Sequence, residues 1–189
     1  AADVWAAPEG DEIWIATPPG AARAVLPAPS EESPDEPREW IWNTYEQDAG
    51  TDRVEADASY AWLAQSTSGA LRVTRGHAPD DPRPALPQAL PGVGRVHAMA
   101  VDPAGRVWFG GEDGIRRTLG PDGGLGPPMQ MPPGDRTVLA LHAGADGLWL
   151  GRRRGGVCLT PWSDETTLGC VDEEDVLPDV EVRLTALAE

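Results

Sequence analysis

The sequence predicts an all-β protein assembled from one repeated unit, and two observations carry that prediction. The chain of 189 residues holds 22 glycines and 20 prolines, which suits strands joined by tight turns and is high for a helical protein. Four Trp-centred segments also recur. They read Glu12-Ile13-Trp14-Ile15-Ala16, Tyr60-Ala61-Trp62-Leu63-Ala64, Arg106-Val107-Trp108-Phe109-Gly110 and Gly147-Leu148-Trp149-Leu150-Gly151. The Trp residues stand 48, 46 and 41 positions apart, a period that marks a solenoid or a propeller.

Each part of the repeat has a physical reason. Three consecutive apolar residues in one strand point to both faces of a sheet, so the strand is covered on both sides. A strand inside a propeller blade meets that condition, because each blade lies between two others. The Ala or Gly after the Trp run (Ala16, Ala64, Gly110, Gly151) suits a close approach of neighbouring sheets. A Gly six or seven residues after each Trp (Gly20, Gly69, Gly114, and Gly155 or Gly156) permits the turn into the next strand.

A strand precedes each Trp strand in three repeats, over Val4–Ala7, Val96–Val101 and Val138–Ala143. The second of these ends in Asp102-Pro103-Ala104-Gly105, a turn sequence. Apolar-Pro pairs (Leu90-Pro91, Met131-Pro132, Leu177-Pro178) stand ahead of such strands, where Pro stops the preceding pairing. Two outer strands are expected after each Trp strand: Ile115–Leu119 and Leu125–Met131 in the third repeat, Val157–Trp162 and Thr166–Val171 in the fourth. Four antiparallel strands in ~45 residues make a β-propeller blade. The four Trp residues are expected at equivalent positions between blades. The second repeat is the least regular, with Ala58-Ser59 where others have Gly or Asp. The acidic, Pro-rich run Ser30–Glu39 reads as a loop between outer strands.

Blades are therefore expected at about 3–50, 51–92, 93–133 and 134–176, with one extra strand at 180–188. That last strand is either the start of a fifth blade in a larger propeller or the filler of an edge in a small closed ring; the first reading is preferred. Residues 1–10 lack the basic start and long apolar stretch of an export signal.

The run from Leu90-Pro91 through Val96–Val101, Asp102-Pro103-Ala104-Gly105, Trp108-Phe109-Gly110 and Gly114-Ile115 resembles the two-component regulator propeller repeat. The fourth repeat is similar from Met131 to Val157, with three arginines in place of a polar turn. The first keeps Trp14-Ile15-Ala16-Thr17 and Gly20, and the second matches only around Trp62 and Gly69. The resemblance implies a propeller that serves as the extracytoplasmic sensing part of a bacterial regulator. The Gly-x-x-Trp-Phe element at Gly105–Phe109 is also similar to streptogramin lyase propellers. Sialidase Asp-boxes match less well, because their Asp-to-Trp spacing differs.

Charge narrows the partners. The chain carries 31 acidic and 15 basic side chains, a net charge of −16, and every basic one is Arg. Such a chain repels phosphate backbones and anionic membranes, so neither nucleic acid nor membrane insertion is expected. The three histidines, His77, His97 and His142, form no zinc signature, and no metal or other cofactor is expected. Phosphate loops, calcium loops and nucleophile elbows are absent from the sequence. His97 and His142 fall on first strands, which line a propeller's channel, so a lyase or hydrolase using both is the competing function. A pure scaffold is the third.

The favoured function is a non-catalytic module that binds a protein or a small ligand, anionic or saccharide. Arg152-Arg153-Arg154 is the one basic cluster, in a turn between the second and third strands, and Arg forks match carboxylate or phosphate. Glu112-Asp113 occupy the equivalent turn of the third repeat. Trp40 and Trp42 alternate around Ile41 on an outer strand; packing against the next blade is the preferred reading, and an exposed one, Trp42 the candidate, could stack on a sugar or a partner's side chain. Asp172–Asp175 reads as a solvated acidic loop. Cys158 and Cys170 stand on the two arms of a hairpin, where a disulfide would imply an oxidising compartment; two buried free thiols are the alternative.

Overall fold

The computed structural model describes residues 3–29, 31, 36–46, 50–65, 67, 69–75, 86–118, 124–154, 156–165 and 168–171. These residues form strands and turns, with no helix among them. Four antiparallel sheets follow one another in chain order. The first holds β1 (Val4–Ala6), β2 (Glu12–Thr17), β3 (Gly20–Val25) and β4 (Ile41–Glu46), side by side in that order. The second repeats the pattern with β5 (Thr51–Ala56), β6 (Tyr60–Gln65), β7 (Ala70–Thr74) and β8 (Gln88–Ala89). The third has β9 (Val96–Val101), β10 (Val107–Gly111) and β11 (Gly114–Arg117), and the fourth β12 (Val138–Ala143), β13 (Gly147–Arg152), β14 (Val157–Pro161) and β15 (Gly169–Val171).

The sheets stack as propeller blades, and the core consists of the three seams between them. Trp14 lies with Val54, Ala56, Ala61 and Leu63 of the second blade. Trp62 lies with Met99, Val107 and Phe109 of the third. Trp108 lies with Val138, Leu148 and Leu150 of the fourth. The four turn glycines of the repeat, Gly20, Gly69, Gly114 and Gly156, all have positive φ, the conformation that Gly adopts without a Cβ penalty. Gly110 answers to the expected close approach: a Cβ there would stand 2.7 Å from Cγ1 of Val138 in the next blade.

Three expectations need correction. Leu125–Met131 is not a regular strand. It touches β11 through the Thr118–Leu125 bridge and two bonds, Gly126 N to Arg117 O and Met129 N to Ile115 O, both 2.9 Å. Pro127 and Pro128 lack the N–H groups that would complete the ladder. The second repeat is regular where its sequence looks least so. Asp57 accepts from the N–H groups of Ser59 and Tyr60 at 2.7 and 2.8 Å, so its side chain shapes the turn without a glycine. Finally, Trp149 is not buried like its counterparts. It is 39% exposed where Trp14, Trp62 and Trp108 are at most 1%, because its side of the fourth blade faces away from the third. The extra strand at 180–188 lies outside the described residues, as do residues 32–35 of the acidic loop.

Candidate functional site

The start of each inner strand and the turn between the second and third strands lie at the same end of a blade. The inner strands of three blades share an irregularity there. Pairing of β5 with β6 skips Asp52, between Thr51 and Arg53. Pairing of β9 with β10 skips His97, between Val96 and Ala98. Pairing of β12 with β13 skips Leu139, between Val138 and Ala140. Each bulge falls on the second residue of its strand, and a bulge re-aims the side chain it frees. Gly111 makes the third-blade bulge sterically feasible, since a Cβ there would come within 2.0 Å of the Arg95 carbonyl oxygen.

Charged groups from three blades gather around His97. Glu112, in the β10–β11 turn, brings a carboxylate oxygen to 3.9 Å from His97 Nε2 and equally 3.9 Å from Arg95 Nη1. Arg53 Nε donates to the His97 carbonyl at 3.2 Å. Burial pulls the His97 pKa below its ordinary value; the charges of Arg95 and Arg153 add to that, while Glu112 and Asp52 oppose it. His97 is therefore neutral at pH 7 and offers one donor and one acceptor. Asp113 sits against Gly94, where a Cβ would stand 2.8 Å from the carboxylate.

The arginine cluster divides by role. Arg152 is buried, and its guanidinium donates to the Asp135 carbonyl at 2.9 Å, clamping the loop that enters β12. Burial removes it from the ligand-facing set. Arg153 is exposed and donates to Asp135 Oδ2 at 2.7 Å. Asp135 also accepts from the Thr137 N–H at 2.9 Å. That backbone bond, ahead of the Arg153 contact, holds its pKa down at about 2. Arg154 is exposed beside it. Trp42, 56% exposed, stands on β4 of the first blade and belongs to no part of this cluster.

The two strand histidines do not pair as a channel site requires. His142 is three positions beyond Leu139, the counterpart of His97, which places it roughly 10 Å further along its strand. It pairs across to Trp149. His77 and Asp172–Asp175 lie outside the described residues. Among the described residues no group of three or more His, Cys, Asp or Glu could hold a metal ion. No helix of the described residues is long and apolar enough to cross a membrane. Cys158 and Cys170, paired across β14 and β15, are joined by a disulfide with an S–S distance of 2.05 Å.

Sequence reasoning missed a second set of polar residues, at the opposite end of the blades. Asp102 Oδ2 accepts from Trp108 Nε1 at 3.0 Å, and Asp57 Oδ2 from Trp62 Nε1 at 2.8 Å. Glu12 does the same for Trp14 at 2.8 Å. The Asp of Asp102-Pro103-Ala104-Gly105 was the available signal, but it reads as turn chemistry alone until the indole is placed beside it. A cavity of about 320 Å³ lies between the third and fourth blades, lined by Trp108, Ile115, Arg117, Met129 and Glu165 among others.

The sequence profile of the two component regulator propeller family matches residues 90–113. No curated protein matches the chain. Among solved structures, virginiamycin B lyase from Staphylococcus aureus with quinupristin is similar at 14% identity and a TM-score of 0.63, over 92% of this chain and 56% of the lyase. The extracellular domain of a hybrid two component system from B. thetaiotaomicron is similar at 11% identity and a TM-score of 0.63, over 90% of this chain and 21% of that one. The chain thus spans about half of the first and a fifth of the second. At such identities the likeness establishes the fold. The chain has the β-propeller fold, and within it residues 90–113 match the two component regulator propeller repeat.

Proposed function

We propose that the chain is a non-catalytic recognition module, the sensing or partner-binding part of an exported bacterial signalling protein. The observation that carries this reading is the row of bulges at Asp52, His97 and Leu139. They aim successive inner strands at one mouth, beside the turns that hold Glu112, Asp113, Arg153 and Arg154. A rigid stack of blades presents these groups at fixed spacing, as a binding site needs. The family repeat and the extracellular sensor domain with the same fold support the extracytoplasmic role, and a disulfide agrees with an oxidising compartment.

The ligand class follows from the side chains. Arg53, Arg95 and Arg153 set forked donors around a neutral imidazole, with Arg154 exposed next to Arg153 in the chain, which favours a carboxylate on a small molecule, a uronic sugar or an acidic loop of a partner. The test is calorimetric titration with an oligo-glutamate peptide and with an oligogalacturonide. Arg153→Ala/Arg154→Ala should weaken binding of the recognised probe about tenfold or more and flatten its salt dependence. Arg152 is left intact because it holds the loop. If the double variant binds both probes normally while His97→Ala abolishes a measured turnover, the lyase reading replaces this one.

A further inference from the structure

We infer that binding at the mouth around His97 is proton-linked: as a carboxylate ligand docks, His97 takes up a proton from solvent, so acidic ligands are held more tightly as the pH falls. Resting on the binding reading above, this linkage adds its regulation. The ring is placed for the role. It stands on the bulge of β9 and is partly exposed at the mouth. Glu112 comes to 3.9 Å from Nε2, beyond hydrogen-bond reach, and divides its attraction with Arg95 Nη1 at the same 3.9 Å. Nε2 thus keeps its hydrogen-bonding capacity for an incoming group.

Charged groups reach this ring from every element packed around it. β5 supplies Asp52, Arg53 and Glu55. Arg53 donates to the His97 carbonyl, and strand alternation turns Glu55 to the same side. Arg95 precedes β9. The β10–β11 turn supplies Glu112, with Asp113 against Gly94. The β13–β14 turn supplies Arg153, which is held by Asp135, and Arg154 beside it. β12 carries one titratable group, His142, which pairs with Trp149 on the side turned away from the third blade. Burial comes first in keeping the His97 ring neutral; of the charges, Arg95 and Arg153 oppose protonation while Glu112 and Asp52 favour it, two against two.

A ligand carboxylate is a third anion at the ring and breaks that balance. In a partly desolvated mouth its attraction for a cation is several-fold stronger than in bulk water. The imidazolium then donates from both nitrogens, and a charge-assisted bond to the ligand is stronger than a neutral one. The sign follows. The pKa of the free ring lies below its ordinary value, and the ligand raises it. Affinity is therefore gained as the pH falls through the bound value and levels off below the free one, and protons and ligand promote each other's binding equally.

Calorimetric titration with the oligo-glutamate peptide and the oligogalacturonide, in MES and in bis-Tris at about pH 6, tests the linkage. The two buffers differ in ionisation heat, so the difference in observed heat counts protons. About half a proton should be taken up per ligand bound, and affinity should rise about fivefold from about pH 8 to about pH 5.5, for a His97 pKa raised by about one unit. The His97 ring signals, assigned by their loss in His97→Gln, should titrate at higher pH with the probe than without it. His97→Gln should take up no proton and bind with an affinity that no longer follows pH. Glu55→Gln should keep the wild-type linkage, which separates His97 from the other group that titrates near neutrality. Binding without proton uptake and with flat affinity would overturn the linkage and leave the binding reading standing. Uptake that survives in His97→Gln, or disappears in Glu55→Gln, would also overturn it. A mouth that binds neither probe at any pH would end both.

Discussion

Asp102 shows how one side chain links turn, strand and seam. It is buried, and its Oδ1 accepts from the N–H groups of Ala104 and Arg106, each at 2.9 Å. Its Oδ2 takes the Trp108 indole and Arg106 Nε, the latter at 2.6 Å. A buried carboxylate this well satisfied is tolerated where an unpaired one would not be. Glu12 behaves alike: burial raises its pKa, but hydrogen bonds from Arg75, Arg23 and Trp14 outweigh it and hold the carboxyl below its usual range. Glu55 is the opposite case. Burial, reinforced by the Asp3 charge, lifts its pKa to about 7, so the folded protein favours its protonated form. A carboxyl whose folded pKa lies above its unfolded value costs nothing below the unfolded value near 4.5. Its cost grows between pH 4.5 and 7 and is constant above. The ceiling on that cost is about 3 kcal/mol, and water reaching the partly exposed group makes it smaller. Urea midpoints should therefore fall from pH 5 to pH 8 in the wild type, and Glu55→Gln should flatten that fall. An unchanged slope in the variant would remove Glu55 as its source.

At the level of elements, the inner-strand bulge is the device that turns a packing unit into a site. It depends on Gly111 having no side chain, because the Arg95 carbonyl occupies the space of a Cβ. Gly111→Ala should cost about 2–3 kcal/mol through overpacking and displace His97 from Glu112. Gly124→Ala is the control: no atom lies within 4 Å of its would-be Cβ, and a surface change of that kind stays within about 0.5 kcal/mol. Thermal unfolding measures both, and the His97 ring chemical shifts report the displacement. The regular strands were legible because their apolar triplets and turn glycines are local chemistry. The Trp strands and the inner strands ahead of them fall where the repeat places them. The bulges were not legible. Asp52, His97 and Leu139 share no residue type, so only the skipped pairing shows that they are equivalent. The same holds for Arg152, which looks identical to Arg153 in sequence and differs only in what lies above it.

For the whole molecule, position in the stack decides what a given repeat residue contributes. The seams between blades 1 and 2 and between blades 3 and 4 are tied at the end opposite the candidate site. Glu12 takes Arg23 at 2.7 Å and Arg75 of the next blade at 2.6 Å. Glu165 of the fourth blade meets Arg106 and Arg117 of the third. Part of the acidic excess thus has a structural use at the seams. Trp108 sits in the middle of this order and Trp149 at its end, although their local sequences are nearly the same. Trp108→Ala empties a closed seam and should cost about 3–5 kcal/mol. Trp149→Ala removes a ring already 39% exposed and should cost under about 1 kcal/mol. Denaturant titrations compare the two directly. Equal losses would mean that Trp149 is covered in solution by something the four described blades do not supply. A loss at Trp108 below 1 kcal/mol would undo the alignment of the repeats on which the blade assignment stands.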